Sequence, residues 1–167
     1  MEVGLGLGTN EGDRLKNLQC AVEHLQQLRG ADLVARAPVY ETEPVDVLPA
    51  FSGQNYLNTV VILEWSGSLR ELLHNTRNIE EQMGRVRGDM PNLPRPIDID
   101  ILYGLDEQSK TTELTVPHPR CTSRAFVLRP LADVRPLLVL PGENETIYEL
   151  LTKLRDDKWV RPYAPQS

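Results

Sequence analysis

The segment Ile97-Asp98-Ile99-Asp100-Ile101-Leu102-Tyr103 limits the fold of this 167-residue chain more than any other part of it. Successive side chains of a β-strand point to opposite faces, so the three isoleucines share one face and the two aspartates share the other. A polar strand face turned to solvent is the weaker interpretation, because aspartate is depleted in strands and like charges on one face repel. The segment therefore predicts a strand with one core face and one functional face.

The paired carboxylates of Asp98 and Asp100 predict a metal site. Residues two apart on a strand are separated by roughly 6.5–7 Å at Cα. Two carboxylates at that separation can bracket a pair of Mg²⁺ ions or hold one ion from both sides. Mg²⁺ takes oxygen ligands and leaves its remaining positions to water and phosphate oxygens.

Three arginines, Arg85, Arg87 and Arg95, precede this strand, and the last two flank a loop that contains glycine and proline. Guanidinium groups match phosphate oxygens in geometry and charge, so arginines beside paired aspartates favour a polyphosphate site. The alternative is a solvated loop that balances nearby acids. Glu80 lies one helical turn before Gly84, where it can hold an arginine, reach a ligand or decorate the surface.

Hydrophobic periodicity predicts the element order β-α-β-β-α-β. Apolar spacing indicates strands at 3–8, 33–40, 56–65 and 97–103 and helices at 13–28 and 68–83. This order predicts an α+β fold, a ferredoxin-like split β-α-β sandwich with an antiparallel sheet and both helices on one face. C-terminal additions are expected to include a helix near 123–134 and another that begins at a capping box, Thr146 to Glu149. The length suits a single domain, residues 1–167.

Composition restricts the functional class. The net charge of −6 argues against coating nucleic acid or an anionic membrane. No apolar run approaches the roughly 20 residues that span a bilayer, and the first residues lack a secretory pattern. Cys20 and Cys121 show no metal-ligand spacing and form no disulfide framework. A cytoplasmic monomer is expected.

Glycines at positions 4, 6, 8 and 12 suggest a nucleotide-binding loop, but their spacing fits neither common nucleotide motif. Residues 8–13 are interpreted as a turn between strand and helix. Asn10 in this turn is a candidate contact for a polar substrate.

Short segments spread along nearly the whole chain carry a family resemblance. They are Gly8-Thr9-Asn10-Glu11-Gly12-Asp13-Arg14, Tyr40-Glu41-Thr42-Glu43-Pro44, Tyr56-Leu57-Asn58, Gly84-Arg85-Val86-Arg87, Pro94-Arg95-Pro96-Ile97-Asp98-Ile99-Asp100, Val116-Pro117-His118-Pro119-Arg120 and Arg124-Ala125-Phe126-Val127-Leu128. In this order they resemble the 6-hydroxymethyl-7,8-dihydropterin pyrophosphokinases of the folate pathway.

The resemblance implies transfer of diphosphate from ATP to the hydroxymethyl-dihydropterin, with AMP as the other product. It implies that Asp98 and Asp100 bind two Mg²⁺ ions and that Arg85 and Arg95 assist transfer. The positions that match ATP contacts are Glu80, Arg87, Ile101, Thr115, His118 and Arg124. The positions that match the pterin pocket are Thr42, Val45, Tyr56, Asn58 and Phe126.

Other interpretations remain beside this one. Without the resemblance, His118 is a turn residue satisfied by backbone, and Tyr56 and Phe126 are core aromatics. The family's loop tryptophan and lysine are replaced by Asn92 and Gly88. The rival functions are a non-catalytic binding module and a metal-dependent phosphohydrolase that uses the same aspartates.

Overall fold

One antiparallel sheet of six strands organises the chain in the computed structural model, which describes residues 1–43, 55–84, 96–156 and 158–164. Its strands are β1 (Glu2–Thr9), β2 (Ala31–Arg36), β3 (Tyr40–Thr42), β4 (Tyr56–Trp65), β5 (Asp98–Gly104) and β8 (Val160–Pro162). The spatial order is β5-β1-β4-β3-β8, and β2 also pairs with β4. Every pairing is antiparallel, as the element order predicts. A separate hairpin joins β6 (Ser109–Lys110) to β7 (Thr115–Val116).

Helices α1 (Arg14–Gln26) and α2 (Leu69–Gln82) pack on one face of the sheet, which confirms the predicted arrangement. Both begin at side-chain caps, because Asp13 accepts from the Lys16 amide and Ser68 accepts from the Glu71 amide. The core beneath them includes Ile97, just before β5, and Ile99 and Ile101 of β5. The alternating pattern of that strand is therefore confirmed.

The opposite face is covered by α3 (Ala125–Val134) and α4 (Ile147–Lys153). A 3₁₀ turn at Cys121–Ser123 leads into α3. Thr146 and Glu149 form the predicted capping box at the start of α4. Val60 and Ile62 of β4 meet Leu128 and Leu131 of α3 in a second apolar cluster. None of the helices in the described ranges is long and apolar enough to cross a bilayer.

The predicted strand at 33–40 is two strands, β2 and β3, that pair with successive stretches of β4. Between them, Pro38 has no N–H to contribute to a ladder, so the pairing is interrupted there. The Ala37 amide still donates to the Val60 carbonyl at 2.9 Å. The break lets β3 continue along β4 toward the end of the sheet where Thr42 and Asn58 lie.

The pairing of β1 with β5 contains a β-bulge, since Gly4 pairs with Tyr103 while Leu5 pairs with Ile101. Leu102 is the extra residue, and the bulge turns Tyr103 into the cluster beneath α3 and α4. The Tyr103 hydroxyl donates to Glu2 Oε2 at 2.8 Å. Arg135, just after α3, also donates to the Glu2 carboxylate.

Candidate active site

Two clefts meet at the carboxylates of Asp98 and Asp100. The first cleft, about 190 Å³, lies between the sheet and the start of α3 and is called the α3 cleft here. The second, about 310 Å³, lies between α2, β5 and the segment around β7 and is called the α2 cleft. Both aspartates line both clefts. The strand pattern thus places the carboxylates at the junction of two separate binding spaces.

The α3 cleft has a polar floor and aromatic walls. Asn58 donates from Nδ2 to the Thr42 hydroxyl at 2.7 Å, and both side chains are buried. This bond fixes the orientation of the Asn58 amide. Tyr56 and Phe126 also line the cleft, and the Arg124 guanidinium lies 5.4 Å from the centre of the Phe126 ring. A flat heterocycle with a polar edge suits this combination of surfaces.

Glycine gives the floor of this cleft its depth. Gly6 and Gly8 lie on the strand face that also carries the aspartates, because Gly6 pairs with Asp100 and Gly8 pairs with Asp98. A Cβ atom on Gly8 would lie 2.7 Å from Asn58 Oδ1, closer than such atoms can approach. From the sequence, Gly6 was predicted in a strand and Gly8 at the junction of strand and turn, and neither was predicted to shape a cleft. Their spacing of two, opposite Leu5 and Leu7, was the signal that one strand face is kept clear.

Glu80 supports the strand between the two aspartates. Its side chain is only 3% exposed, so the surface interpretation is wrong. Glu80 Oε2 accepts a hydrogen bond from the Ile99 amide at 2.9 Å. The amide belongs to an edge strand that pairs only with β1 among the described residues, and the carboxylate takes the place of a neighbouring strand.

His118 is held by the backbone on one side and lines the α2 cleft on the other. Its Nδ1 accepts a hydrogen bond from the Arg120 amide at 3.2 Å, which requires an unprotonated Nδ1. Burial lowers the His118 pKa, and the positive charges of Arg124 and Arg120 lower it further against the opposing effect of Asp98. The neutral ring therefore carries its proton on Nε2 as a hydrogen-bond donor.

The structure brings most of the sequence-predicted residues to these two clefts. Lining the α3 cleft are Thr42, Tyr56, Asn58, Phe126 and Arg124. Lining the α2 cleft are Glu80, Ile101, Thr115 and His118. Arg124, predicted as an ATP contact, thus lies with the predicted pterin residues. Asn10 is fully buried and lies outside the lining that the described residues define for either cleft.

Some predicted residues lie outside the described ranges: Val45, Arg85, Arg87 and Arg95, with the loop positions Gly88 and Asn92. The clefts also contain residues that the sequence analysis did not single out. Besides Gly6 and Gly8, these are Glu43 and Arg120 at the α3 cleft, and Arg77 and Thr112 at the α2 cleft. No pattern in the sequence marks these four polar residues apart from ordinary surface residues.

The donor set at the junction fits Mg²⁺. Asp98 and Asp100 are half-buried carboxylates on one strand face, and both face space that a phosphate chain can enter. Among the residues that the structure describes, no group of three or more protein ligands converges on one point. Two carboxylates with phosphate and water oxygens are the kind of shell that Mg²⁺ commonly accepts.

Comparison with known proteins agrees with this architecture. A 2-amino-4-hydroxy-6-hydroxymethyldihydropteridine pyrophosphokinase of Methylorubrum extorquens is 40% identical over 151 residues, which is 90% of this chain and 91% of that protein. The folic acid synthesis protein fol1 of Schizosaccharomyces pombe is 36% identical over 161 residues. The match covers 96% of this chain but only 21% of that longer protein.

Solved structures give the same fold. A crystal structure of Plasmodium falciparum HPPK-DHPS matches 91% of this chain and 44% of that one, with a TM-score of 0.69 and 16% identity. The antiparallel α+β sandwich predicted from element order is therefore confirmed. The sequence profile of the 7,8-dihydro-6-hydroxymethylpterin-pyrophosphokinase (HPPK) family matches residues 4–136, and this chain belongs to that family.

Proposed function

We propose that this chain transfers the terminal diphosphate of ATP to 6-hydroxymethyl-7,8-dihydropterin, giving AMP and the pterin diphosphate in folate biosynthesis. The observation that carries the proposal is the position of Asp98 and Asp100 on the lining of both clefts. A transfer enzyme must bring the acceptor of one ligand against the phosphate of another, and two clefts that share one carboxylate pair provide that meeting point.

The α3 cleft is assigned to the pterin. Phe126 and Tyr56 provide aromatic surfaces for the flat bicyclic ring. Asn58, with its amide fixed by Thr42, reads the polar edge of the ring. The hydroxymethyl group is then directed toward the aspartates, because they form the part of the lining that continues into the second cleft.

The α2 cleft is assigned to ATP. Ile101 and Thr115 offer an apolar and a hydroxyl contact for the base or sugar, and the neutral His118 donates from Nε2 to the nucleotide. Glu80 acts on the strand, since its carboxylate holds the Ile99 amide. Arg124 lies where a phosphate chain crosses toward the α3 cleft, and Arg87 is assigned to the nucleotide through the family match.

The substrate hydroxyl attacks the β-phosphorus of ATP in line, and the bond from that phosphorus to the α–β bridging oxygen breaks. Asp98 and Asp100 would hold two Mg²⁺ ions, which when bound neutralise phosphate charge and polarise the phosphoryl oxygens. Arg85 and Arg95 are assigned to the remaining charge on the phosphates. Positioning and electrostatics account for the chemistry without a covalent intermediate.

The first test follows isotope-labelled ATP with Mg²⁺, in the presence and absence of the hydroxymethyl-dihydropterin. We expect AMP only when the pterin is present, with an equal amount of a pterin product that carries two phosphates. Formation of ADP and phosphate without the pterin would instead identify a phosphohydrolase. Nucleotide binding without turnover would identify a binding module.

The second test replaces each aspartate. Asp98→Ala and Asp100→Ala are each expected to reduce turnover below about a tenth of the wild-type rate, because each removes a charge that organises the phosphates. The matched control is Asp106→Ala, since Asp106 is exposed and follows β5 outside both clefts. Circular dichroism checks that all three variants keep the fold. Turnover above that level in either site variant contradicts the assigned role.

A further inference from the structure

One contact joins α3 to β3 beside the α3 cleft. The Tyr40 hydroxyl donates a hydrogen bond to Asp133 Oδ2, and Tyr40 is only 5% exposed. The Arg129 guanidinium lies 5.9 Å from the centre of the Tyr40 ring. Neither Tyr40 nor Asp133 lines a cleft as the described residues define it, so this contact is distinct from the assigned binding residues.

The geometry of both elements connects this contact to the cleft. Phe126, Arg129 and Asp133 follow a spacing of three and four residues, which places them along one side of α3. Tyr40 and Thr42 are two apart on β3, so their side chains share one face of the sheet. Strand β3 and helix α3 therefore contact each other through Tyr40 and Asp133, and the same two elements line the α3 cleft with Thr42 and Phe126.

The start of α3 is held only in part by its own backbone. Helix α3 contains Pro130, which has no N–H to donate to the Phe126 carbonyl four residues earlier. The first turn of α3, which carries Phe126, therefore depends on contacts with the rest of the chain for its position.

We propose that Tyr40 and Asp133 are positioning residues that set the separation between Phe126 and the polar floor formed by Thr42 and Asn58. This inference rests on the proposed function, because it concerns the width of the slot that receives the pterin. The Tyr40–Asp133 bond holds α3 at the distance that matches a flat bicycle. Without the bond, the Phe126 ring moves relative to the floor and the pterin is held less tightly.

The charge state of the pair supports this arrangement. Burial raises the pKa of Tyr40, and the hydrogen bond to Asp133 raises it further against the opposing effect of Arg129. The hydroxyl thus stays protonated and remains a donor at all pH values at which the enzyme works. Its partner Asp133 is exposed, so Tyr40→Phe removes the buried hydroxyl and leaves Asp133 in contact with water.

The test compares Tyr40→Phe with Tyr103→Phe in the full-length chain. Both substitutions remove a hydroxyl that donates to a carboxylate, Asp133 in one case and Glu2 in the other. Tyr40→Phe is expected to raise KM for the pterin about fivefold, the size expected when one hydrogen bond is lost. We expect kcat and KM for ATP to stay unchanged in Tyr40→Phe, and all three constants to stay unchanged in Tyr103→Phe.

A second pair of variants separates positioning from general stability. Asp133→Asn keeps an oxygen that accepts from Tyr40 and should preserve KM for the pterin, whereas Asp133→Ala should raise it as Tyr40→Phe does. The double variant Tyr40→Phe with Asp133→Ala should be no worse than either single variant, because both remove the same contact. Calorimetric titration with the hydroxymethyl-dihydropterin gives the same comparison independently of turnover.

Equal pterin KM in the wild type, Tyr40→Phe and Asp133→Ala would overturn the inference, as would equal increases in Tyr40→Phe and Tyr103→Phe. These outcomes are distinct from failure of the proposed function. If the proposed function fails, the wild-type chain itself neither binds the pterin nor forms AMP from ATP in its presence.

Discussion

At the scale of single residues, the absence of a side chain at Gly8 matters as much as any polar group. Gly8→Ala would place a Cβ atom 2.7 Å from Asn58 Oδ1, so the amide must move and its bond to Thr42 is strained. We expect KM for the pterin to rise about tenfold, as for loss of a buried hydrogen bond to a ligand. Steady-state kinetics should show little change in KM for ATP.

Gly6→Ala is the matched control for this substitution. Gly6 lies two residues earlier on the same strand face, and its new Cβ atom would lie 3.4 Å from Leu102 Cδ2. That contact is close to ordinary van der Waals distance, and the leucine methyl can adjust. A smaller effect on the pterin KM is expected. Equal effects of the two substitutions would show that the Asn58 collision is not the cause.

Roles that depend on the pattern within one strand were easier to predict than roles that depend on contacts between strands. Asp98 and Asp100 share a face because strand side chains alternate every two residues, and this alternation can be recognised within their own segment. The role of Gly8 depends on Asn58, which reaches it only through the register of β1 with β4. Likewise, Glu80 is buried because the Ile99 amide lies within its reach, and no local pattern encodes that contact.

At the scale of elements, β8 is the clearest case of a strand that depends on distant residues. It pairs with β3, whose residues precede it by about 120 positions. Arg161 donates from Nη2 to Glu41 Oε1 at 2.7 Å. The other carboxylate oxygen, Oε2, lies 3.3 Å from Nη1 of Arg14 in α1. Glu41 thus joins β8 and α1 to the strand that carries Thr42.

Arg161→Ala is expected to loosen β8 without unfolding the chain. The amide hydrogen of Tyr163, which donates to the Val39 carbonyl, should exchange severalfold faster. The melting temperature should fall by less than about 4 °C, because the Arg161 side chain is largely exposed and water weakens its attraction to Glu41. Hydrogen exchange followed by mass spectrometry measures the local effect.

Lys153→Ala serves as the control for this change. It removes from α4 an ion pair with Glu145 whose cation is about as exposed as Arg161. This variant should leave exchange at Tyr163 unchanged. If Arg161→Ala leaves that exchange at the wild-type rate, the ion pair with Glu41 does not hold β8 in place.

Element length explains which elements the sequence could predict. Helices α1 and α2 and strands β1, β4 and β5 have at least seven residues, long enough for a period to be recognised. Strands β3 and β8 have three residues each, and their pairing supplies the order that their sequence lacks. The break at Pro38 was visible in the sequence, but the prediction of one continuous strand did not use it.

At the scale of the whole molecule, two carboxylates join parts of the chain that are far apart in sequence. Glu2 in β1 accepts from Arg135 after α3 and from Tyr103 in β5. Burial raises the pKa of Glu2, but its hydrogen bonds with Arg135 and Tyr103 outweigh that effect and lower it. The pKa of Glu41 is lowered chiefly by its hydrogen bond with Arg161, against burial and with help from Arg14.

These lowered pKa values predict a loss of stability in acid. Each folded-state pKa lies below the ordinary value of 4.5, so the unfolded chain binds protons first as the pH falls. The contribution of both groups to the free energy of unfolding is fully present above about pH 5.5 and decreases through pH 4.5 and below.

Glu2→Gln keeps the shape and the acceptor oxygen but cannot titrate. Its free energy of unfolding, measured by denaturation between pH 7 and pH 3, should therefore depend less steeply on pH. Glu113→Gln, which alters an exposed pair with Arg70 at 3.6 Å, should keep the wild-type dependence. An unchanged slope in Glu2→Gln would mean that the connection between β1, β5 and the end of α3 is not what acid weakens.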